Sequence, residues 1–450
     1  MTAAWVGSRL GVRLADGARP VGAGLSALVG LAVRRNPKRA HLLVSAVLGK
    51  HVPTDPRLVY GSGLLLGELV RARLRGEDPC DPGPLLPDAL QVVPGAAAAL
   101  RDRMRAPQVP VDAIVLGYAE TATALGHSVA DALGGAYYLH STRRPVEGFA
   151  TYGGFEEEHS HATSHLLLPA DAEALDRDVP VVLVDDELST GRTVLNTIQA
   201  LHTVRPRSHY VLAALVDLRD AADRARMDDL AVHLGTRIDA VALAGGHVEL
   251  PDGVLEAGKA LVAGIPSQAP DDGGPRFAVS RAALEWPAGL PDGGRHGFLP
   301  EHRAWLEKDL ARMGEALADG LEGASRVLVL GFEELMYAPL RLAEALADAL
   351  PHVDVFYSTT TRSPVLAVDD PGYAIRTRLT FPSHDDPADG PGERYAYNVA
   401  PGVGQRGFDR IVLVVDDAGD TSALAAGLLE RLRALAPVLV APIPSYRGRL

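Results

Sequence analysis

The chain has 450 residues, a formal net charge of −13 and 47% hydrophobic residues. That is more than one ordinary domain, with apolar mass for sizeable cores and an acidic balance that argues against general nucleic-acid binding. Its one cysteine, Cys80, excludes a disulfide framework within the chain; with no signal-peptide layout and no apolar run of the ~18 residues that span a bilayer, a cytoplasmic location is expected.

In chain order, residues 25–33 read as a helix. Residues 34–39, Arg-Arg-Asn-Pro-Lys-Arg, read as a basic turn suited to a phosphate, an acidic partner or plain solvation. Residues 41–48 are strand-like and deliver Gly49, Lys50 and His51. Lysine is rare in this arginine-biased chain, so Lys50, just past a strand, stands out as a site candidate against a surface salt bridge. Residues 64–74 fit an amphipathic helix, and 76–94 are rich in Pro and Gly and read as a loop. The strand at 113–116 runs into Gly117, Tyr118, Ala119, Glu120, Thr121, Ala122 and Thr123, followed by helix through Leu133. A strand at 136–140 ends in Ser141-Thr142-Arg143-Arg144-Pro145. Residues 152–162 are rich in Gly, Glu and His. His159, His161 and His165 make a poor metal cluster, since no cysteine joins them and a loop would have to fix their geometry.

The densest motif follows. Residues 181–184, Val-Val-Leu-Val, suit a strand buried on both faces of a parallel sheet. Asp185, Asp186, Glu187, Leu188, Ser189, Thr190, Gly191, Arg192 and Thr193 come next, with a helical pattern opening at Thr193. Carboxylates accept from vicinal hydroxyls, while loop N–H groups, hydroxyls and a helix start cradle a phosphate. Together they suit a phosphorylated sugar. A P-loop would need Gly-Lys-Ser/Thr, and a haloacid dehalogenase pattern Asp-x-Asp; neither is present. Further strands are expected at 210–218 and 238–244, a helix at 254–262 and a linker at 266–274.

The 181–193 string resembles the motif of type I phosphoribosyltransferases that binds PRPP, 5-phosphoribosyl 1-diphosphate. The resemblance implies that Asp185 and Asp186 hold the ribose hydroxyls, with Mg²⁺ reached indirectly through the bound PRPP, and that residues 189–193 hold the 5′-phosphate. It implies that Gly117 to Thr123 take the pyrophosphate and that a basic residue, here Arg143, faces it. Orotate phosphoribosyltransferases place a mobile catalytic loop near 156–162; this chain keeps His161 there but has glutamates in place of lysine. Lys50, Arg143 and His161 are therefore the catalytic candidates.

The C-terminal part replays the first in order. Gly294-Arg295-His296 echoes Gly49-Lys50-His51, and 327–334 echoes 114–120. Residues 356–364, with Thr361-Arg362-Ser363-Pro364, echo 139–145, and 411–421 echoes the acidic strand. The copy keeps Asp416, Asp417 and Thr421. Ser422 and Leu424 replace Gly191 and Thr193, and the leucine is expected to put bulk where a phosphate would lie. The Thr-Arg-Ser-Pro string behind such a half is similar to the TRSP-domain architecture, which is linked to tellurium-resistance stress gene clusters. The expected fold is α/β: a type I phosphoribosyltransferase-like parallel-sheet domain over 1–265, the linker, and a degenerate second α/β domain over 275–450. An intrachain pseudo-dimer is expected, compatible with a homo-oligomer. The partners are PRPP and an unidentified, nucleobase-like acceptor, without nucleic acid or membrane; a PRPP-binding sensor without transfer is the alternative.

Overall fold

Each half of the chain builds one parallel sheet. A computed structural model describes residues 3–36, 39–106, 109–143, 146–155, 165–265, 275–384 and 392–448. The first half runs through β1 (Arg13–Asp16), a hairpin of β2 (Val29–Asn36) and β3 (Arg39–Ser45), β4 (Ile114–Gly117) and β5 (Tyr137–His140). A hairpin of β6 (Gly153–Phe155) and β7 (His165–Leu167) follows, then β8 (Val181–Leu188), β9 (His209–Asp217) and β10 (Arg237–Glu249). The second half supplies β11 (Val279–Arg281), β12 (Arg326–Gly331), β13 (Asp354–Thr359), a hairpin of β14 (Arg378–Pro382) and β15 (Glu393–Tyr397), β16 (Arg410–Asp416) and β17 (Val438–Ile443).

The first sheet has the order β1-β10-β9-β8-β4-β5, parallel except for β1; the second has β11-β17-β16-β12-β13, all parallel. The run β9-β8-β4-β5 thus matches β17-β16-β12-β13. In both halves a hairpin interrupts the path from the edge strand to the acidic strand, so the repeat seen in the sequence is a repeat of topology. The apolar stretches of β8 and β16 are buried on both faces, as strands covered on both sides must be.

The helices are α1 (Ala4–Leu10), α2 (Leu25–Leu28), α3 (Pro56–Arg75), α4 (Leu85–Leu90), α5 (Ala96–Met104), α6 (Thr123–Leu133), α7 (Arg192–Val204), α8 (Ala221–Leu234), α9 (Val254–Gly264), α10 (Pro300–Ala318), α11 (Tyr337–Ala349) and α12 (Ser422–Leu424), which runs on through a wider turn to Leu432. Three expectations change. The run 25–33 is one turn of helix, α2, and then strand from Val29, because pairing with β3 places Val29 opposite Ser45; a short apolar run does not declare its period. The 64–74 helix starts earlier, at Pro56, where Asp55 accepts from the Arg57 N–H at 2.9 Å and proline takes the first helical position. The 76–94 stretch contains α4. The strands near 210 and 238 and the helix near 254 are β9, β10 and α9; the linker at 266–274 lies outside the described residues.

One apolar core crosses from half to half: Tyr60, Leu65 and Leu66 of α3 and Val129 of α6 belong to the same cluster as Met313 of α10 and Leu340 and Leu346 of α11. Polar groups are buried in that seam. Asp131 accepts from the hydroxyls of Tyr60 and Tyr337 at 2.8 and 2.7 Å. Arg341, fully buried, pairs with Glu344 at 2.8 Å and Glu307 at 2.9 Å and lies over the Tyr60 ring. A buried charge is tolerated only when paired in this way.

Two short segments also change places. Gly49 (φ 69°) lies against β13, where a Cβ would sit 2.4 Å from the Tyr357 ring, and Thr54 exchanges backbone hydrogen bonds with Tyr357. Gly294 lies against β5, where a Cβ would sit 2.3 Å from the Tyr138 ring, and Phe298 exchanges backbone bonds with Tyr138. Tyr138 and Tyr357 occupy matching positions of the repeat. Each half is therefore strapped by the other through matching contacts.

Candidate functional site

β8 and β4 are neighbours, and their carboxyl ends bring the two predicted loops side by side. β8 continues through Asp185, Asp186, Glu187 and Leu188, so the acids are its last residues and are braced by β9, with Asp185 opposite Ala214. The Asp186 N–H donates to Asp185 Oδ1 at 2.9 Å. Burial pushes the Asp186 carboxyl above its usual range; Glu187 adds to that push and Lys50 opposes it. Glu187 is held by Arg39 at 3.0 Å. The basic turn thus finds its acidic partner inside the chain, in the motif itself; Pro37 and Lys38 lie outside the described residues.

Ser189, Thr190 and Gly191 form the turn. Gly191 (φ 72°) caps α7, which starts at Arg192, one residue before the expected Thr193. The first-turn N–H groups of α7 have no acceptor within the helix, and they make its end positive. Against Gly191 packs Arg219, buried and fixed by Asp217 at the end of β9 through contacts at 3.0 Å. Arg219 is not among the residues expected from the sequence, where the Asp-x-Arg string at the end of β9 is its signal.

The β4 loop is fixed from several sides. The Tyr118 N–H donates to Val184 O at 3.1 Å, tying it to β8, and the Ala119 N–H donates to Ser141 Oγ at 2.9 Å. His165 Nδ1 is 2.8 Å from the same hydroxyl. The Ala119–Glu120 peptide is cis. Tyr118 is buried, which raises its hydroxyl above the usual range; Thr197 of α7 bonds to it. Lys50 Nζ donates to Thr121 Oγ1 at 2.7 Å and lies 3.2 Å from Glu120 Oε1, with both charged side chains under 10% exposed. Burial works against a charge on Glu120. Lys50, a hydrogen bond from Thr361, Arg362 and Arg143 outweigh it and hold the carboxyl below its usual range.

Lys50, the 117–123 loop, the acid pair and the charge of Arg143 are thus brought together. Arg143 does more than expected: its N–H donates to Glu334 of the second half at 3.3 Å, and the Thr142 hydroxyl donates to the same carboxylate at 2.9 Å. His161 and its neighbours at 156–164 lie outside the described residues. Of the three histidines weighed as metal ligands, His165 instead supports the β4 loop through Ser141. Among the described residues no group of three or more His, Cys, Asp or Glu forms a metal cluster. The donors at the β8 edge are two partly exposed carboxylates, a set that fits Mg²⁺ bound mostly through water and substrate oxygens.

The second half has closed its version of this site. Asp416 Oδ1 accepts from the Gly419 N–H at 2.8 Å, Asp417 pairs with Arg447 at 3.2 Å and accepts from the Ser445 N–H at 3.0 Å, and Asp420 pairs with Arg281. Thr421 caps the following helix through the Leu424 N–H at 3.2 Å. Leu424 does not occupy phosphate space as expected; it is 1% exposed and points into the apolar cluster beneath β16.

A phosphoribosyl transferase family model matches residues 28–247, and a model of the TRSP domain, described as C-terminal to that transferase, matches 292–432. No curated protein matches the chain in sequence. Among solved structures, adenine phosphoribosyl transferase from Trypanosoma brucei is 17% identical, with 31% of this chain and 60% of that one covered and a TM-score of 0.23. The chain therefore spans less than two thirds of that enzyme. The adenine enzyme from Giardia lamblia is 23% identical, with 35% and 83% covered and a TM-score of 0.24. A hypoxanthine phosphoribosyltransferase from Staphylococcus aureus is 10% identical, with 44% and 79% covered and a TM-score of 0.21.

Proposed function

Residues 28–247 belong to the phosphoribosyl transferase family and residues 292–432 to the TRSP domain that follows it, and on that premise we propose that the first half transfers 5-phosphoribosyl from PRPP to a nucleobase-like acceptor and releases pyrophosphate. The observation that carries this reading is the pairing of two loops on adjacent strands. One ends in vicinal carboxylates and a helix start, and the other is lined by hydroxyls with Lys50 at 2.7 Å from Thr121. Asp185 and Asp186 accept from the ribose hydroxyls. Ser189, Thr190, Thr193 and the N–H groups opening α7 donate to the 5′-phosphate. Lys50 and the 117–123 loop receive the pyrophosphate as the bond from the ribose C1 to its oxygen breaks, while the acceptor nitrogen bonds to that carbon and gives up its proton to solvent or to the leaving pyrophosphate. The chain's contribution is positioning and charge stabilisation. Mg²⁺, carried on the PRPP and met by Asp185 and Asp186, would neutralise the leaving group. We propose further, from the TRSP resemblance alone, that such a product serves a tellurium-resistance stress response. The basic turn at 34–39 and the missing lysine of the 156–162 loop favour the sensor alternative; Arg39 of that turn is engaged by Glu187.

The test is pyrophosphate release from PRPP and Mg²⁺ across a panel of nucleobases. Turnover is expected with at least one base, with Lys50→Ala at least ten-fold slower and Lys50→Arg in between, since a planar guanidinium does not replace a point ammonium. PRPP binding without release across the panel would favour the sensor.

A further inference from the structure

We infer that Arg362, from the second half, is a positioning residue for the first half's anion loop: it holds Glu120, and Glu120 holds Lys50. This rests on the reading that the 117–123 loop takes pyrophosphate. The Glu120 carboxylate is a bridge between halves. Its Oε1 lies 3.2 Å from Lys50 Nζ, while its Oε2 accepts from the Arg362 N–H at 3.4 Å and lies 3.8 Å from Arg362 Nε. Arg362 is itself anchored, with Nε at 2.7 Å from Glu333, a fully buried carboxylate that Arg394 also holds at 2.7 Å. The backbone of Lys50 is steadied from the same side: the Ser358 hydroxyl donates to Lys50 O at 3.4 Å, and Tyr357 packs on Gly49.

The mirrored contact shows that this geometry belongs to the design of the repeat. Glu334 lies 3.3 Å from Arg295 of its own half and accepts from Thr142 and the Arg143 N–H of the other half, at 2.9 and 3.3 Å. Only in the first half does the bridged cation stand beside a hydroxyl-lined loop. The physical role follows. A carboxylate left to Lys50 alone would concentrate its charge on the ammonium and mask it from an incoming anion. A second cation on the far oxygen draws that charge away and fixes the carboxylate, so the ammonium is oriented yet available.

The experiment is calorimetric binding of pyrophosphate with Mg²⁺, and separately of ribose 5-phosphate, to the full chain and to Arg362→Gln, Glu120→Gln and the double variant, with melting curves for each. Arg362→Gln is expected to weaken pyrophosphate about ten-fold and to leave ribose 5-phosphate within two-fold. In the double variant the loss should equal that of Glu120→Gln alone, because the arginine acts through the glutamate. Equal losses for both ligands, additive losses in the double variant, or unchanged pyrophosphate binding in Arg362→Gln would each overturn the inference. A wild-type chain that binds neither ligand would instead overturn the phosphoribosyl reading on which it rests. Should Arg362→Gln fail to fold, Thr361→Val removes the hydroxyl that bonds to Glu120 and accepts from the Ser363 N–H at 3.1 Å, and leaves both cations of the bridge, Lys50 and Arg362, in place. A smaller, still pyrophosphate-selective loss supports the inference, and wild-type binding of both ligands by that variant counts against it.

Discussion

The loop after β4 and the loop after β12 follow equivalent strands at the same position in the repeat, yet larger side chains fill the second where threonines line the first. Thr121 and Thr123 of the first loop correspond to Leu335 and Tyr337 of the second, which are buried in the shared core. Ala119 corresponds to Glu333, locked between Arg362 and Arg394. At the neighbouring strand the contrast repeats. Asp185 and Asp186 stand partly exposed beside a capped helix start, whereas Asp416 and Asp417 are satisfied by their own turn, by Ser445 and by Arg447. The second half keeps the contacts of Glu334 with Thr142 and Arg143 across the seam, while its own acid pair is satisfied internally. A binding site can thus be lost by internal satisfaction of its polar groups, with the scaffold intact.

The largest way to break the comparison is to separate the halves. Leu340, Leu342 and Leu346 of α11 are fully buried in the shared core; at ~1.5–3 kcal/mol each they alone rival the ~5–15 kcal/mol stability of a typical domain. Residues 1–265 expressed alone should aggregate or lose fixed tertiary structure and all turnover, as read by size-exclusion chromatography and near-ultraviolet circular dichroism. Residues 270–450 added in trans should restore only part of it, because the tether's effective concentration is gone. A monomeric, folded and active 1–265 fragment would make the second half an independent module.

The next effect sets the two acid pairs against each other. Asp185→Asn or Asp186→Asn should slow pyrophosphate release by ~10²–10³, or roughly 2.7–4 kcal/mol, with little change in melting temperature. Asp416→Asn and Asp417→Asn should leave the rate within two-fold. Comparable losses from both pairs would show that the second site still serves the reaction.

The smallest effect concerns the seam itself. Burial first of all lowers His140 and His296 from 6.5 to about 4 each. Both are neutral in the folded chain, so their contribution to stability is fully present above pH 6.5. It is lost progressively as pH falls from there to about 4, where the folded state takes up the proton as well. The loss is at most about 3 kcal/mol per histidine. His296 Nδ1 lies 2.9 Å from Leu168 O, and its ring stacks on Phe149 at 3.5 Å; His296→Gln should therefore flatten the pH dependence of urea unfolding between pH 6.5 and 4 relative to wild type. An unchanged slope would place the seam's acid sensitivity elsewhere.

Much of this was legible in the chain. The Val-Val-Leu-Val run, two acids and a small-residue turn read as strand, edge and helix start because each residue type has one economical place there. The repeat was legible because its four segments keep their order. Other features were hidden for physical reasons. Residues 25–33 are apolar at every spacing, so only the β3 partner decides that most of them are strand. Leu424 reads as an obstruction in the string, but its direction depends on the helix phase, which sends it into the core. Ser141 and Thr361 act through neighbours far away in sequence. No local pattern marks Glu120 as a bridge between halves.

The exchanged straps set a clock on how this protein is made. Lys50 leaves the ribosome long before Ser358, its partner 308 residues later. At ~5–20 residues per second, the nascent chain waits about fifteen seconds to a minute before Gly49 can meet Tyr357 and the first site can take its final shape. Until then α3 presents an uncovered apolar face, and the straps of two neighbouring nascent chains are interchangeable. Expression slowed by cold or by rare codons within residues 50–358 lengthens that interval and should favour strap-exchanged dimers, in which one chain's Gly49 segment closes on another chain's β13.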